Sequence, residues 1–582
     1  MKAETGKRVQ QVAGYVFVIL VTGILLYRLL GLSGLDIVRY PINYSSGGDS
    51  WTGMATVKSM ADNGWIYNNA FLGAPDGAKY YDATTMELVL NAMEQVLVWI
   101  TGNWVLAFNL FYFSGYFLAG VTAYYALKKL DISGVIAAPT AVLYAFAPYH
   151  MARSTGHLFL GMYFMVPIMV LFLFRMMQEE QLFQKGKRGF LTAGNVMKVI
   201  TLMIMALTGI YYAFFMCFFL CVVILCKILN GEGRKIRQPL FGIGVIVGTL
   251  LIGAIPNLLY WAQNGKSPAL AKGGEGAEIY GLKIIQLLLP IKGHRREVLM
   301  RLRNLYDSAY PLVNENGSAS LGLFMALGFV LLCLVLFVGR KRLKEQGNIR
   351  IAATLNLAAV LFGTIGGFAV ILSFITGSIR CYNRFSIFIA MFSLIAIDTV
   401  LQWIRVKWFQ GRKWKQILFA GGMLIILSGG IYDQTVPRSP ETHTVSEQIY
   451  DADDAFIKQI EAVEEPGAMI YQLPYMKYPE NGGIQQLMDY GLLVGYLHSD
   501  TLKWSYGAPS ERETDIWMRE LNEKPLTEQI DMIREKGFSG IYIDWNAYLP
   551  DERVAMESIL ETETGTTPLL HEDGMKAYYS FK

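Results

Sequence analysis

Charge is what this sequence has least of. Only 17% of its 582 residues are Asp, Glu, Lys or Arg, against 53% hydrophobic residues and a positive mean hydropathy of +0.33. Soluble domains carry about 25% charged residues, so the composition indicates a polytopic membrane protein. Cysteine is scarce too. The five residues, at 217, 221, 226, 333 and 381, lie in or beside apolar segments, which leaves neither a disulfide framework nor a thiolate metal site. A glycine-rich phosphate loop with its Lys and Ser/Thr is missing, as are HExxH and CxxC. Residues 9–30 are too long for a removable signal peptide and lack its cleavage site, so they read as a retained first helix.

The net charge of +4 conceals an asymmetry. From Asp433 to the end there are 28 acidic and 12 basic residues, so the remainder of the chain is strongly basic. That excess sits in short clusters between apolar runs, a pattern of cytoplasmic loops and anionic lipid rather than of nucleic acid.

A spanning helix needs about 20 mostly apolar residues. Windows at 11–30, 104–127, 132–148, 158–176, 195–211, 213–229, 239–261, 321–339, 350–373, 386–404 and 416–432 qualify, giving about eleven transmembrane helices. Basic clusters recur after every second crossing: Lys2/Lys7/Arg8, Lys128/Lys129, Lys185/Lys187/Arg188, Arg234/Lys235/Arg237, Arg340/Lys341/Arg342/Lys344 and Arg405/Lys407/Arg412/Lys413/Lys415. By the positive-inside rule these ends and the N-terminus are cytoplasmic. The loop at 33–87, the turns at 149–157 and 374–385, the segment 262–320 and the tail are then extracytoplasmic. Two domains follow, a membrane domain at 1–432 and a soluble α/β domain at 433–582. In the tail, 451–463 and 526–536 read as helices, and 468–473 and 540–544 as strands. Within the first outer loop, 51–64 and 85–101 read as amphipathic helices lying along the membrane face.

Three outer features carry candidate chemistry. The first loop holds Gly47-Gly48-Asp49-Ser50-Trp51 and Tyr80-Tyr81-Asp82. A carboxylate on a glycine turn can approach a bulky substrate and accept a hydroxyl proton, which makes Asp49 the candidate base and Asp82 a second. The turn Tyr149–His157 carries His150, Arg153 and His157, suited either to interfacial anchoring or to a phosphate or sugar contact; a metal site is disfavoured for want of a third ligand. The basic residues His294, Arg295, Arg296, Arg301 and Arg303, and the stretch Arg380-Cys381-Tyr382-Asn383-Arg384, run against the usual charge bias. Arginines placed so match lipid-phosphate oxygens, with headgroup contact the alternative for Arg301 and Arg303. Asp398, near the cytoplasmic end of its span, reads as a partner-satisfied polar residue.

An N-terminal span, a long outer loop with an acidic residue, many further spans and an outer C-terminal domain together resemble the GT-C glycosyltransferases. Particular stretches are similar to a bacterial branch of that superfamily: GGDSW with DNGW and LGAP, LYAFAPYHMARSTGHL, RCYNRFSIF, GYLHSDTLKWSYGA and GFSGIYID. The resemblance implies a polyprenyl-phosphate-linked sugar as donor. It makes Asp49 the general base, with Asp82 as a second acidic residue, and points to His294, Arg295, Arg380 and Arg384 as holders of the lipid phosphate; His150, Arg153, His157 and Asn383 complete the expected site.

The expectation is therefore an inverting transferase in a bacterial plasma membrane, acting at the outer face on a cell-envelope glycan or lipid acceptor. It calls for no redox or nucleotide cofactor, and nothing supports a divalent metal. The competing readings are a flippase or transporter for lipid-linked sugars and a non-catalytic envelope-assembly subunit.

Overall fold

A computed structural model describes residues 2–82, 86–178, 182–184, 190–270, 275–311, 315–338, 347–375 and 377–582, with the side chains of residues 2–8 and Asn316 left aside. The basic residues Lys185, Lys187 and Arg188, and Arg340, Lys341, Arg342 and Lys344, lie outside the described residues. So do the side chains of Lys2, Lys7 and Arg8.

The chain is a polytopic helical membrane protein with a C-terminal domain built on a sheet. Among the described residues, seven helices are long and apolar enough to cross a bilayer, from Val9–Leu29 to Lys413–Gln434. Every expected span holds a helix, but four of the eleven are shorter, Val166–Met177, Ala193–Thr208, Gly322–Val335 and Gly347–Gly363. The shortening has local causes. Pro167 starts its helix late, since proline has no N–H to give an earlier turn, and Gly366 turns the chain with φ of 71° after Gly363. The long apolar run at 195–229 breaks at Gly209, as the sequence suggests, and the Glu87 carboxylate accepts the freed Ile210 N–H at 3.2 Å. Outward-facing Leu20, Leu251 and Ile425 are mostly exposed, the surface a bilayer would cover.

The first helices set the frame. Helix α1 (Lys2–Leu29) and α4 (Trp104–Lys129) pack on each other and on α5 (Gly134–Ala145). Before α4 come α2 (Asp49–Asn63) and α3 (Leu88–Thr101), on the side of the opening loop. Asn103 caps α4 by accepting the Leu106 N–H at 3.0 Å. At the other end, Ser133 N–H meets Gln402 Oε1 at 3.2 Å, which holds α5 against the foot of the helix Ser386–Trp408. Within that helix Asp398 takes Thr140 Oγ1 at 2.9 Å on one oxygen, while its other oxygen has no partner among the described residues. Its partner is thus a hydroxyl, not the nearby Arg405.

The opening loop contains a two-stranded hairpin, β1 (Asn68–Asn69) with β2 (Ala78–Lys79). The tail folds around a five-stranded sheet of β3 (Met469–Leu473), β4 (Lys503–Trp504), β5 (Gly540–Asp544), β6 (Leu569–Leu570) and β7 (Lys576–Ser580). Its order is β4-β3-β5-β7-β6, with β3 parallel to both neighbours and β7 antiparallel to β5 and β6. Residues Ile541 and Ile543 face one side of the buried central strand, and Tyr542 faces the other.

The opening loop completes that sheet. Trp504 N–H donates to Phe71 O at 2.8 Å, Gly73 N–H to Tyr506 O at 3.0 Å and Ala74 N–H to Trp504 O at 3.0 Å, so residues 71–74 cover the β4 edge. Side chains reinforce the seam. Asp82 accepts Arg512 Nε at 2.7 Å on one oxygen and Trp261 Nε1 at 2.6 Å on the other. Asp82 is nearly buried and the Arg512 side chain 19% exposed, so removing one partner strands a charge. We expect Arg512→Leu to loosen the tail by about 2–3 kcal/mol, somewhat under the ~3–5 of a fully buried pair. Protease release of the tail against denaturant would measure it, and an unchanged midpoint would show that the pair carries no stability.

Candidate active site

Asp49 stands at the first turn of α2, entered through Gly47 and Gly48 with φ of 61° and 54°. Both values lie in the left-handed region, which glycine enters without strain and other residues rarely do. A Cβ at Gly47 would also press on the end of the Met488 side chain. The turn just before is clamped from three directions. Tyr44 Oη donates to Asp453 Oδ2 at 2.7 Å and meets His498 Nε2 at 2.8 Å, both in the tail. Asn43 Nδ2 donates to Ser154 Oγ at 2.9 Å, and Ser50 Oγ meets Thr155 Oγ1 at 2.9 Å.

The Asp49 carboxylate opens into a cavity of about 390 Å³. One wall is α2 and α3, another is Thr155–Leu160, and the tail closes it with Tyr478, Pro479, Glu480 and Tyr490. Tyr478 stands between Tyr80 and Tyr490, with ring centroids 5.5 and 6.0 Å away. No side chain donates to Asp49 among the described residues. Partial desolvation, together with Asp489, Glu480 and Glu315, pushes its carboxyl above the ordinary value. A base so raised holds a proton more firmly, which suits general-base work.

A second cavity of about 440 Å³ is lined by Lys266, Arg380 and Arg384 together with Asp82, Tyr211 and Trp261. Its cations are held by aromatic faces: Arg384 lies 4.1 Å from the Tyr211 ring centroid and Arg380 5.5 Å from that of Tyr280. The stem of Arg380 rests on Gly276, where a Cβ would come within 2.7 Å of it. With Asp82 neutralised by Arg512, the cavity keeps an excess of positive charge.

Glu315 bridges the two cavities. It is ion-paired with Arg153, stands 3.7 Å from Arg384 Nη2 and lies 4.0 Å from His157 Nε2. Burial alone would raise the Glu315 carboxyl, but Arg153 and Arg384 hold it down at about 2. Burial and then Arg153 bring the His157 imidazole down to about 4, so it is neutral at physiological pH. Arg153 also donates to Asn383 Oδ1 at 3.0 Å.

The site residues expected from sequence thus separate. Asp49 and His157 line the first cavity; Asp82, Arg380 and Arg384 line the second; Arg153 and Asn383 build the wall between. His150 reaches neither: its ring stacks on Tyr116 with centroids 3.6 Å apart, and Nδ1 meets Ala145 O at 2.9 Å. His294 and Arg295 also stand apart, packed on the root of the tail. His294 Nε2 lies 3.4 Å from Asp433, and Arg295 donates to Thr435 O at 3.2 Å while resting on Tyr432. Arg301 pairs with Glu297, and Arg303 with Asp307 at 2.9 Å. Sequence reasoning missed Glu315, Lys266 and the tail's Tyr478, Glu480 and Tyr490, because long-range folding alone brings them to the site. It also missed Glu94, although a Glu inside the apolar run LVLNAMEQVLVWIT is a visible signal.

Residues 95–376 match the family model described as Domain of unknown function (DUF6311). No curated protein matches the chain. Among solved structures, ArnT from Cupriavidus metallidurans bound to undecaprenyl phosphate aligns over 99% of this chain and 98% of its own, at 13% identity and a TM-score of 0.50. The apo form of that protein aligns over 100% and 99%, with 13% identity and a TM-score of 0.48. The Archaeoglobus fulgidus oligosaccharyltransferase in complex with Zn and sulfate aligns over 98% and 73%, with 13% identity and a TM-score of 0.43. The end-to-end match to undecaprenyl-phosphate-bound ArnT is one of architecture: the chain has the GT-C fold.

Because Arg153 is almost wholly buried, replacing Glu315 by Gln leaves it a poorly compensated charge. We expect Glu315→Gln to lower stability by about 3 kcal/mol, whereas the double variant Glu315→Gln/Arg153→Met recovers much of the loss. Thermal unfolding in detergent would check both, and equal loss in the two variants would sink the account.

Proposed function

We propose that the chain is a membrane glycosyltransferase that moves a sugar from a polyprenyl-phosphate donor to a cell-envelope glycan or lipid acceptor at the outer face of a bacterial plasma membrane. The observation that carries this reading is the division of charge between two bridged cavities. One presents a carboxylate with raised proton affinity, the other three cations beside apolar helices. A hydroxyl nucleophile needs the first, and a lipid phosphate leaving group needs the second.

In the proposed step the acceptor hydroxyl attacks the anomeric carbon while its proton passes to Asp49. The bond from the anomeric carbon to the phosphate oxygen breaks, its electron pair stays on that oxygen, and polyprenyl phosphate leaves. Single displacement inverts the anomeric centre. Arg380, Arg384 and Lys266 would stabilise the phosphate as its charge grows, and Arg384 is oriented for this by Glu315 and Tyr211. Asp82, held by Arg512 and Trp261, has no free oxygen with which to act as base, so its role would be to fix the second cavity's wall. The bound lipid in the ArnT structure is consistent with a donor of this type.

With a synthetic short-chain polyprenyl-phosphate sugar and purified protein, Asp49→Asn is expected to cut turnover by on the order of 10²–10⁴-fold with donor affinity retained. Undiminished transfer by that variant would overturn the assignment. Movement of labelled lipid-sugar across liposomes without acceptor would favour a flippase.

The raised carboxyl has a pH signature. Asp49 is active as a base only when deprotonated, so the acid limb of kcat/KM should lie above the ordinary aspartate value. Asp489→Asn removes a like charge that favours the protonated form, so the limb moves to lower pH. A pH profile of the two proteins reads this directly; a limb that stays in place would show that the tail does not tune the base.

A further inference from the structure

The inner wall of the first cavity holds two buried polar groups that nothing satisfies. Both carboxylate oxygens of Glu94 and the Nδ2 of Asn91 lack a hydrogen-bond partner among the described residues, and each side chain is 1% exposed. They sit three residues apart on α3, on one face of the helix, and both line the cavity. Neighbouring polar groups are already engaged: Asn69 donates to Ser59 Oγ at 3.1 Å, and Thr56 donates to Thr52 O at 2.8 Å. Burial drives the Glu94 carboxyl well above its ordinary value. Leaving such groups unpaired costs about 1–3 kcal/mol each, so native folds keep them where a ligand or water completes them.

The rest of the wall says what fits. Asp49, Glu94 and Glu480 are its acidic residues; no Lys or Arg lines it among the described residues. Tyr478 offers a ring face, and Leu72 and Leu158 offer apolar surface. An anion would meet carboxylates with no compensating cation, whereas hydroxyl or amino groups could donate to Glu94 while a ring oxygen or hydroxyl accepts from Asn91.

We propose that Glu94 and Asn91 form the floor of a subsite for an uncharged or amino-bearing sugar ring, and that this subsite turns away rings carrying a carboxylate or phosphate. The proposal deepens the transferase reading and rests on it for the direction of transfer, but binding at the subsite can be tested without turnover. The ring could belong to the donor or to the acceptor; the chemistry is the same.

Saturation-transfer NMR on the full chain in detergent, with the methyl glycosides of glucose, N-acetylglucosamine, glucosamine and glucuronic acid as probes, gives the test. The first three are expected to bind saturably and the glucuronide at least tenfold more weakly. Glu94→Leu, which replaces an unpartnered carboxyl by a slightly smaller apolar group, should keep or raise thermal stability while weakening all three by about tenfold. Asn91→Leu should weaken them comparably. Equal binding of the glucuronide, or binding untouched in a stable Glu94→Leu protein, would overturn the subsite and leave water as the occupant.

Displacement of the bound glycoside by a short prenyl-phosphate glucoside assigns the subsite to the donor ring; simultaneous binding of both assigns it to the acceptor. Sugar binding without any transfer by the wild type would refute the transferase reading and uphold the subsite, and transfer unaffected by Glu94→Leu would do the reverse.

Discussion

The molecule depends on one seam, the pairing of opening-loop residues 71–74 with the β4 edge of the tail sheet. An exposed strand edge is a row of unpaired donors and acceptors, and covering it is a strong constraint on where the two parts can sit. Once that register is set, Tyr44 meets Asp453 and His498, Tyr496 Oη reaches Asp62 at 2.8 Å, and Arg512 reaches Asp82. These contacts lie on either side of Asp49 in the chain. A glycine turn with two left-handed residues would otherwise wander, and the seam is what gives its carboxylate a fixed place. The opening loop therefore packs against the tail as well as against the membrane helices.

The second organising fact is how charge is kept among the loops around the two cavities. Arginine is costly away from water unless paired, and here each buried arginine has a specific partner. Arg153 has Glu315 and Asn383, and Arg303 has Asp307 and Pro290 O. Arg384 differs. Its nearest carboxylate oxygen, Glu315 Oε1, is 3.7 Å away, and the same side chain's Oε2 already serves Arg153. An arginine backed by a tyrosine face and only loosely neutralised keeps donors for an incoming anion. That contrast, more than the count of cations, distinguishes the second cavity from the merely structural arginines around it.

Much of this was legible in the sequence, and the reasons for the rest are physical. Hydropathy located all seven helices that, among the described residues, are long and apolar enough to cross a bilayer, and the break near Gly209 followed from the Thr-Gly-Ile-Tyr-Tyr stretch between two apolar runs. Patterning also found β3, β5 and the helix Leu526–Glu535. The edge strands β4 and β6 have two residues each and leave no pattern to read. Asp49 is legible in the sequence as a carboxylate on a glycine turn, and the structure places it at a cavity. His150, His294 and Arg295 show the limit of composition: an unusual cluster of cationic side chains on loops can be held by a tyrosine face, a carbonyl or a nearby aspartate. Only packing separates those from Arg380 and Arg384. Glu94 escaped notice because an amphipathic helix tolerates a carboxylate on its polar side, and the fold turns that side inward.

The tail has two effects on the site, and they act in the same direction on one carboxylate. Through Tyr478, Pro479 and Tyr490 it closes the cavity and removes water from Asp49. Through Glu480 and Asp489 it adds negative charge. Both raise the proton affinity of Asp49, which strengthens it as a base, but both also make its charged resting form more costly. The compensation available is local: Glu315 is itself neutralised by Arg153 and Arg384, so the network limits how much further charge reaches Asp49. An incoming phosphate in the second cavity would draw Arg384 away from Glu315 and expose more of that carboxylate's charge to the first. Occupation of one cavity would in this way raise the basicity of the group in the other. The bridge through Glu315 therefore couples the two cavities by ordinary Coulomb interaction, with no movement of the helices required.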